Sequence, residues 1–158
     1  SAGNTYCGVV MVQPATGAEK VRISLVGVHS DSDTDTDTDT DEYVATVAFD
    51  EAGIGGAFFV APVACEVVSV AEIHGTVAGQ AGTLQVEKCE DGEAAGEGDE
   101  VLAAAIDLTG TVNTAQTAVA VSDGKEQLAV GDVLRTKVAS GAADSLADAV
   151  LSVRIRRL

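Results

Sequence analysis

Apolar residues in this chain recur at every second position, in runs too short to make long helices. In the segment AVLSVRIRR (149–157), Leu151, Val153 and Ile155 alternate with Ser152, Arg154 and Arg156. Successive strand side chains point to opposite faces, so such a run buries one face and wets the other. VRISLVGV (21–28) sets Val21, Ile23 and Leu25 on one face, and YVATVAF (43–49) sets Tyr43, Ala45, Val47 and Phe49 on one face. GTLQVEKC alternates through Leu84 and Val86. AFFVAPVACEVVSVAEIHGTVA reads as a short strand, a turn at Pro62, and a long strand through Glu66, Val68, Val70, Glu72 and His74. AQTAVAV and DVLRTKVA read as further strands, whereas VLAAAIDL (101–108) fits either a strand or a turn or two of helix. Glycine and aspartate punctuate the series at DEAGIGG, EDGEAAGEGDE and SGAADSLAD. About eight or nine short strands at regular spacing predict an all-β sandwich or barrel.

The 158 residues suit one domain, with an arm where the pattern weakens. Residues 1–50 carry the low-complexity run DSDTDTDTDTDE (31–42) and are predicted to form either an arm or an extension of the sheet. Residues 51–158 are predicted to form the sandwich proper. With aromatics at 3% and no Trp, the core has to be built from Val, Ala, Leu and Ile, which suit a pleated, half-buried surface.

The formal net charge is −16, and lysine occurs only at positions 20, 88, 125 and 137. Phosphate backbones and anionic membranes repel such a chain, so neither nucleic acid nor a membrane is an expected partner. Abundant Asp and Glu, scarce Lys, and plentiful Ala, Val, Thr and Gly fit a halophilic setting, where counter-ions screen the repulsion. An ordinary acidic surface gives the same signs. Cys7, Cys65 and Cys89 are odd in number and lack the C-x-x-C spacing of a zinc site. They are expected to be buried free thiols in a protein that folds in a reducing cytoplasm. The sequence shows neither an export signal nor a run long enough to span a membrane.

From Gly56 onward, five blocks follow in order: FFVAPVACEVVSVAEIHGT, GTLQVEKC, GDEVLAAAIDLTGTVNTAQTAVAV, LAVGDVLRTKVASG and LSVRIRRL. Together they resemble a group of small tailed-virus head proteins, the capsid decoration or cement proteins. The likeness spans residues 56–158, about two-thirds of the chain, and rests on block order rather than on any single motif. It implies a jelly-roll-like β-sandwich without enzymatic activity. It also implies assembly in the host cytoplasm onto a virion surface, with the major capsid protein and other copies of itself, as homodimer or homotrimer, for partners. The lysine-poor composition adds a halophilic host, such as a haloarchaeon, to that expectation. A spike or fibre base that attaches to the host surface is the alternative.

The acidic run places Asp31, Asp33, Asp35, Asp37 and Asp39 at positions 1, 3, 5, 7 and 9 of a twelve-residue window, with Glu42 at position 12. That echoes a calcium loop, but Thr36 stands where the sharp turn needs Gly, and the flanks read as strands. In an extended strand, alternate carboxylates are about 7 Å apart and cannot converge on one ion. The run therefore reads as a solvated tip or, at most, as a loose, weak shelf for Ca²⁺ or Mg²⁺; no other cofactor is expected. At the other terminus, Arg154, Arg156 and Arg157 supply three of the chain's five arginines within four residues. They read either as the outer face of a last strand paired with the protein's own carboxylates, or as a basic strip that docks on an acidic capsid surface.

Other candidates read as structure. His29 abuts the acidic run and His74 ends a strand, each without a second His or a Cys beside it in sequence. Ser69 lies in VVSVA without a nucleophile elbow, and GIGG (53–56) lacks the Lys and Ser/Thr of a phosphate loop. A carbohydrate-binding sandwich would want aromatic platforms, and the chain has only three Phe and two Tyr.

Overall fold

A computed structural model of the chain describes residues 9–10, 21–24 and 42–158. The described residues form an all-β, jelly-roll-like sandwich of two curled antiparallel sheets. Its strands are β1 (Val9–Val10), β2 (Val21–Ser24), β3 (Glu42–Phe49), β4 (Ala57–Val60), β5 (Cys65–Ile73) and β6 (Gly82–Cys89). They continue as β7 (Asp99–Glu100), β8 (Ile106–Asp107), β9 (Gln116–Val119), β10 (Gln127–Leu128), β11 (Val133–Gly141) and β12 (Ala149–Arg157). The larger sheet runs β1-β2-β3-β12-β5-β10, with β9 also on β5. The smaller runs β4-β11-β6-β7, with β8 also on β6. Among the described residues, the only helical element is a short 3-10 turn at Glu51–Gly53, capped by the Asp50 carboxylate, which accepts from the Gly53 amide at 3.0 Å.

Alternation does most of the folding. Ala45, Val47 and Phe49 of β3, and Leu151, Val153 and Ile155 of β12, face inward against Leu84, Val86 and Leu134 of the other sheet. The strand β3 lies in the larger sheet, flanked by β2 and β12, and ends at Phe49, just before the 3-10 turn. β2 joins antiparallel to β3, with Val21 opposite Val47 and Ile23 opposite Ala45. VLAAAIDL is not helical: Leu102 makes a single bridge to Ala120, and Ile106–Asp107 is the two-residue β8.

The sequence pattern misleads in β5. Ser69 lies opposite Arg154 and Val67 opposite Ile155, which leaves Val68 as an extra residue, a β-bulge. The bulge reverses the alternation. Cys65 and Val67 face the core before it, and Val70 and Glu72 face the core after it, with His74 buried just beyond the strand. Glu66 faces outward. The even-numbered residues of this strand therefore do not share one face.

The outward positions of the larger sheet line up in cross-strand rows: Ala48–Val150–Ile73, then Thr46–Ser152–Ala71, then Val44–Arg154–Ser69. β9 extends the last two rows with Thr117 and Val119. At the far end of the smaller sheet, Gly141 (φ +70°) and Gly82 bring two backbones so close that a Cβ on either would overlap a carbonyl, that of Ala81 or of Ala142.

Candidate functional site

The bulge at Val68 delivers a buried carboxylate and a buried imidazole to one place. Glu72 and His74 both have essentially no solvent exposure. His74 Nδ1 lies 3.0 Å from Glu72 Oε1 and 3.3 Å from Oε2. Its Nε2 lies 3.3 Å from the carbonyl oxygen of Gly110. A carbonyl can only accept, so Nε2 carries hydrogen and donates. One further proton then lies between Nδ1 and the carboxylate. Burial pushes the Glu72 carboxyl above its ordinary range, while hydrogen bonds from His74 and Gln116 pull it back. Gln116 donates to Glu72 Oε2 at 3.3 Å and to the Asp107 carbonyl at 2.7 Å. The Asn113 amide donates to the His74 carbonyl at 2.8 Å.

These bonds staple the segment between β8 and β9 to the end of β5. The staple continues to Asp107, whose carboxylate accepts from the Thr109 hydroxyl at 2.7 Å and amide at 2.8 Å and is held below the usual range by them. Both ring nitrogens of His74 are engaged and its ring is sealed from solvent, an arrangement that holds a loop rather than presenting a base to a substrate. The sequence held one signal of it: an acid and a histidine two apart at the end of an apolar strand. Without the bulge, their inward direction was not readable.

Two more buried polar side chains act on loops. Gln85 is buried on β6 and behaves like an added strand residue: its Nε2 donates to the Leu102 carbonyl at 2.9 Å, and its Oε1 accepts from the Leu102 amide at 3.1 Å. Glu87 accepts from the amides of Gly96 at 3.0 Å and Gly98 at 2.9 Å, and Lys137 approaches it to 3.9 Å. Neither role was visible in the alternation of GTLQVEKC.

The C-terminal arginines stand on β12. Arg154 grips Glu42 bidentately, through Nε at 2.8 Å and Nη2 at 2.9 Å, and this hydrogen bonding holds the Glu42 carboxyl below its usual range. Arg156 binds Glu66 through Nε at 2.8 Å and also through Nη2. Arg157 is exposed at the strand end. Glu42, the one described member of the acidic run, is thus engaged with an arginine. Asp31, Asp33, Asp35, Asp37 and Asp39 lie outside the described residues, as do His29 and Cys7. Among the described residues, no group of three or more His, Cys, Asp or Glu is gathered to hold a metal ion. Cys65 and Cys89 are buried free thiols. Burial, aided by Asp132, pushes the Cys65 thiol up to about 11. Burial, with Glu87 beside it, raises that of Cys89.

No family model and no curated protein matches the chain. Among solved structures, the chain is similar to one from the structure of infectious bursal disease virus, Gx strain, with a TM-score of 0.35 and 14% identity. The match covers 91% of this chain and 40% of that one.

Proposed function

We propose that this chain is a non-enzymatic structural protein of a virion, a cement protein that bridges neighbouring capsomers on the head of a tailed virus. The observation that carries the reading is where the buried polar groups go. Glu72, Gln85, Glu87, Glu126, Asp132 and Thr136 each accept a hydrogen bond from a group of this same chain, in five of the six cases a backbone amide outside the named strands. That chemistry stiffens a sandwich, as suits a part whose task is to keep its shape while its surface adheres. The block order from Gly56 to Leu158, with its resemblance to decoration proteins, points the same way.

The mechanism in this reading is mechanical. A packed genome strains a thin shell, and a rigid body seated across a seam adds buried area there. Apolar burial contributes about 25 cal/mol per Å² before the entropic cost of association. Modest contacts repeated around a symmetric shell then offset local strain. The net charge of −16 keeps free copies apart in dilute salt and is screened in the concentrated salt that the composition suits.

The test is copy number. Particles purified from the source of this sequence, resolved on a gel and quantified by densitometry, should contain the chain in fixed proportion to the major shell protein. A few copies per particle would identify a spike or fibre base instead. Absence from intact particles would reject a virion role.

A further inference from the structure

The two outer faces of the sandwich differ in kind. On the smaller sheet, outward-facing Glu87 is closed over by the loop between β6 and β7 and Gln85 by the segment after β7, and Lys137 bridges Glu87 to Glu100. The larger sheet presents its cross-strand rows instead. Its middle row is Thr46, Ser152, Ala71 and Thr117, bordered by Val44 and Val119 in the next. The chain carries 25 Asp and Glu, yet none stands on these three rows. Their charges are both basic: Arg22 of β2, opposite Thr46 on the middle row, and Arg154, which Glu42 neutralises at the margin.

We infer that this face is where a second copy of the chain stacks, sheet on sheet. The inference gives a surface to the self-association in the reading above and rests on that reading only for the expectation that copies associate. Charge selects the face: two copies of a chain at −16 repel through carboxylate-bearing surfaces and meet none on these rows. Chemistry permits it. Short Ala, Ser, Thr and Val side chains leave a flat surface, fit for a sheet about 10 Å away. The hydroxyls of Thr46 and Ser152 already bond each other at 3.1 Å, so one of their two donors is satisfied within the sheet before it is covered. Val44 and Val119 are exposed and become buried. Four strands about 4.8 Å apart and three rows about 7 Å apart give roughly 400 Å² per copy, against about 800 Å² in a standard stable interface. The pair is therefore weak in dilute salt and consolidates when salt screens the chains' net charge.

Sedimentation equilibrium of the whole chain tests this. At about 2 M KCl a monomer–dimer equilibrium is expected, at least about tenfold tighter than at about 0.1 M. Thr117→Glu puts a carboxylate at an exposed position of the middle row, and Ala71→Glu puts one at its centre. Each should weaken dimerisation about tenfold or more, since two like charges then face each other across the contact. Ala95→Glu, an exposed site in the loop after β6, should leave it unchanged. Circular dichroism confirms that each variant is folded; because Thr117 is exposed, its variant remains informative if Ala71→Glu does not fold. A wild-type chain that stays monomeric at high salt, or a folded Thr117→Glu that dimerises like wild type, overturns the inference. A dimer that never accompanies particles would reject the virion reading and leave this interface standing.

Discussion

His74 Nδ1 sits 3.0 Å from Glu72 Oε1, with both side chains sealed inside the sandwich and a single proton to share between them. The pair exists because one extra residue, Val68, turns the second half of β5 over. A local irregularity thus sets which polar groups are buried, and these decide how the segment from Asp107 to Gln116 is held. The consequence is a dependence of stability on pH that the surface charge alone would not give.

The Glu72 carboxyl lies above its ordinary range, chiefly through burial. A raised folded value means that the native state keeps a proton which the unfolded chain releases near pH 4.3. The stability this represents is complete below that pH and is lost as pH rises through the raised value. Glu72→Gln removes the titration. The melting temperature of wild type minus that of the variant should therefore fall as pH rises from about 4 through the raised value, where each kcal/mol is worth roughly 4 °C in a domain this size. A difference that is flat or grows across this range rejects the raised carboxyl.

Truncating one partner is expected to cost more than replacing both. His74→Ala leaves a buried carboxylate without its imidazole and the Gly110 carbonyl without its donor, and should destabilise by about 3–5 kcal/mol in urea unfolding. Glu72→Met combined with His74→Leu removes the charge and refills the volume, and should regain at least half of that loss, roughly 2 kcal/mol. Equal losses in the single and double variants would mean that the two side chains are not coupled.

Gln85 supports a segment that has little regular structure of its own. Its two bonds to the Leu102 backbone pair the stretch beside β6 where no strand is available to do so. Gln85→Ala strands a buried amide and a buried carbonyl and should cost about 2–4 kcal/mol. Hydrogen exchange at Leu102 should accelerate with it. Exchange at Leu102 that stays as slow as in wild type would show that the bonds are dispensable.

Strict alternation made β3, β6, β11 and β12 legible, because one apolar face in a half-buried strand needs nothing beyond a period of two. The same rule failed in β5, where VVSVA holds two adjacent valines and the bulge flips the faces around Val68. It also missed Gln85 and Glu87, whose positions alternate as outward-facing but are covered by a loop distant in sequence. VLAAAIDL was ambiguous because a short Ala-rich run carries no period. β2 and β3, both within residues 1–50, pair into the larger sheet beside β12. The arginines of β12 were read either way from sequence; which carboxylates they meet depended on register, and Glu42 and Glu66 lie next to them on flanking strands.

That register bears on cation binding. Of the six carboxylates in the twelve-residue echo, Glu42 at the last position is the one that a calcium loop would use bidentately. In this fold its two oxygens are taken by Arg154 Nε and Nη2 at 2.8 and 2.9 Å. An ion at this position would have to displace an arginine, and the guanidinium would then sit beside it. Calorimetric titration of Ca²⁺ or Mg²⁺ into the chain at high KCl is therefore expected to show no heat beyond dilution. Arg154→Ala frees the carboxylate, and if the run were a loop site awaiting its last ligand, that variant alone would bind with a saturable signal. Saturable binding by the wild type would mean that the arginine yields to the metal, and would reinstate Glu42 as a ligand.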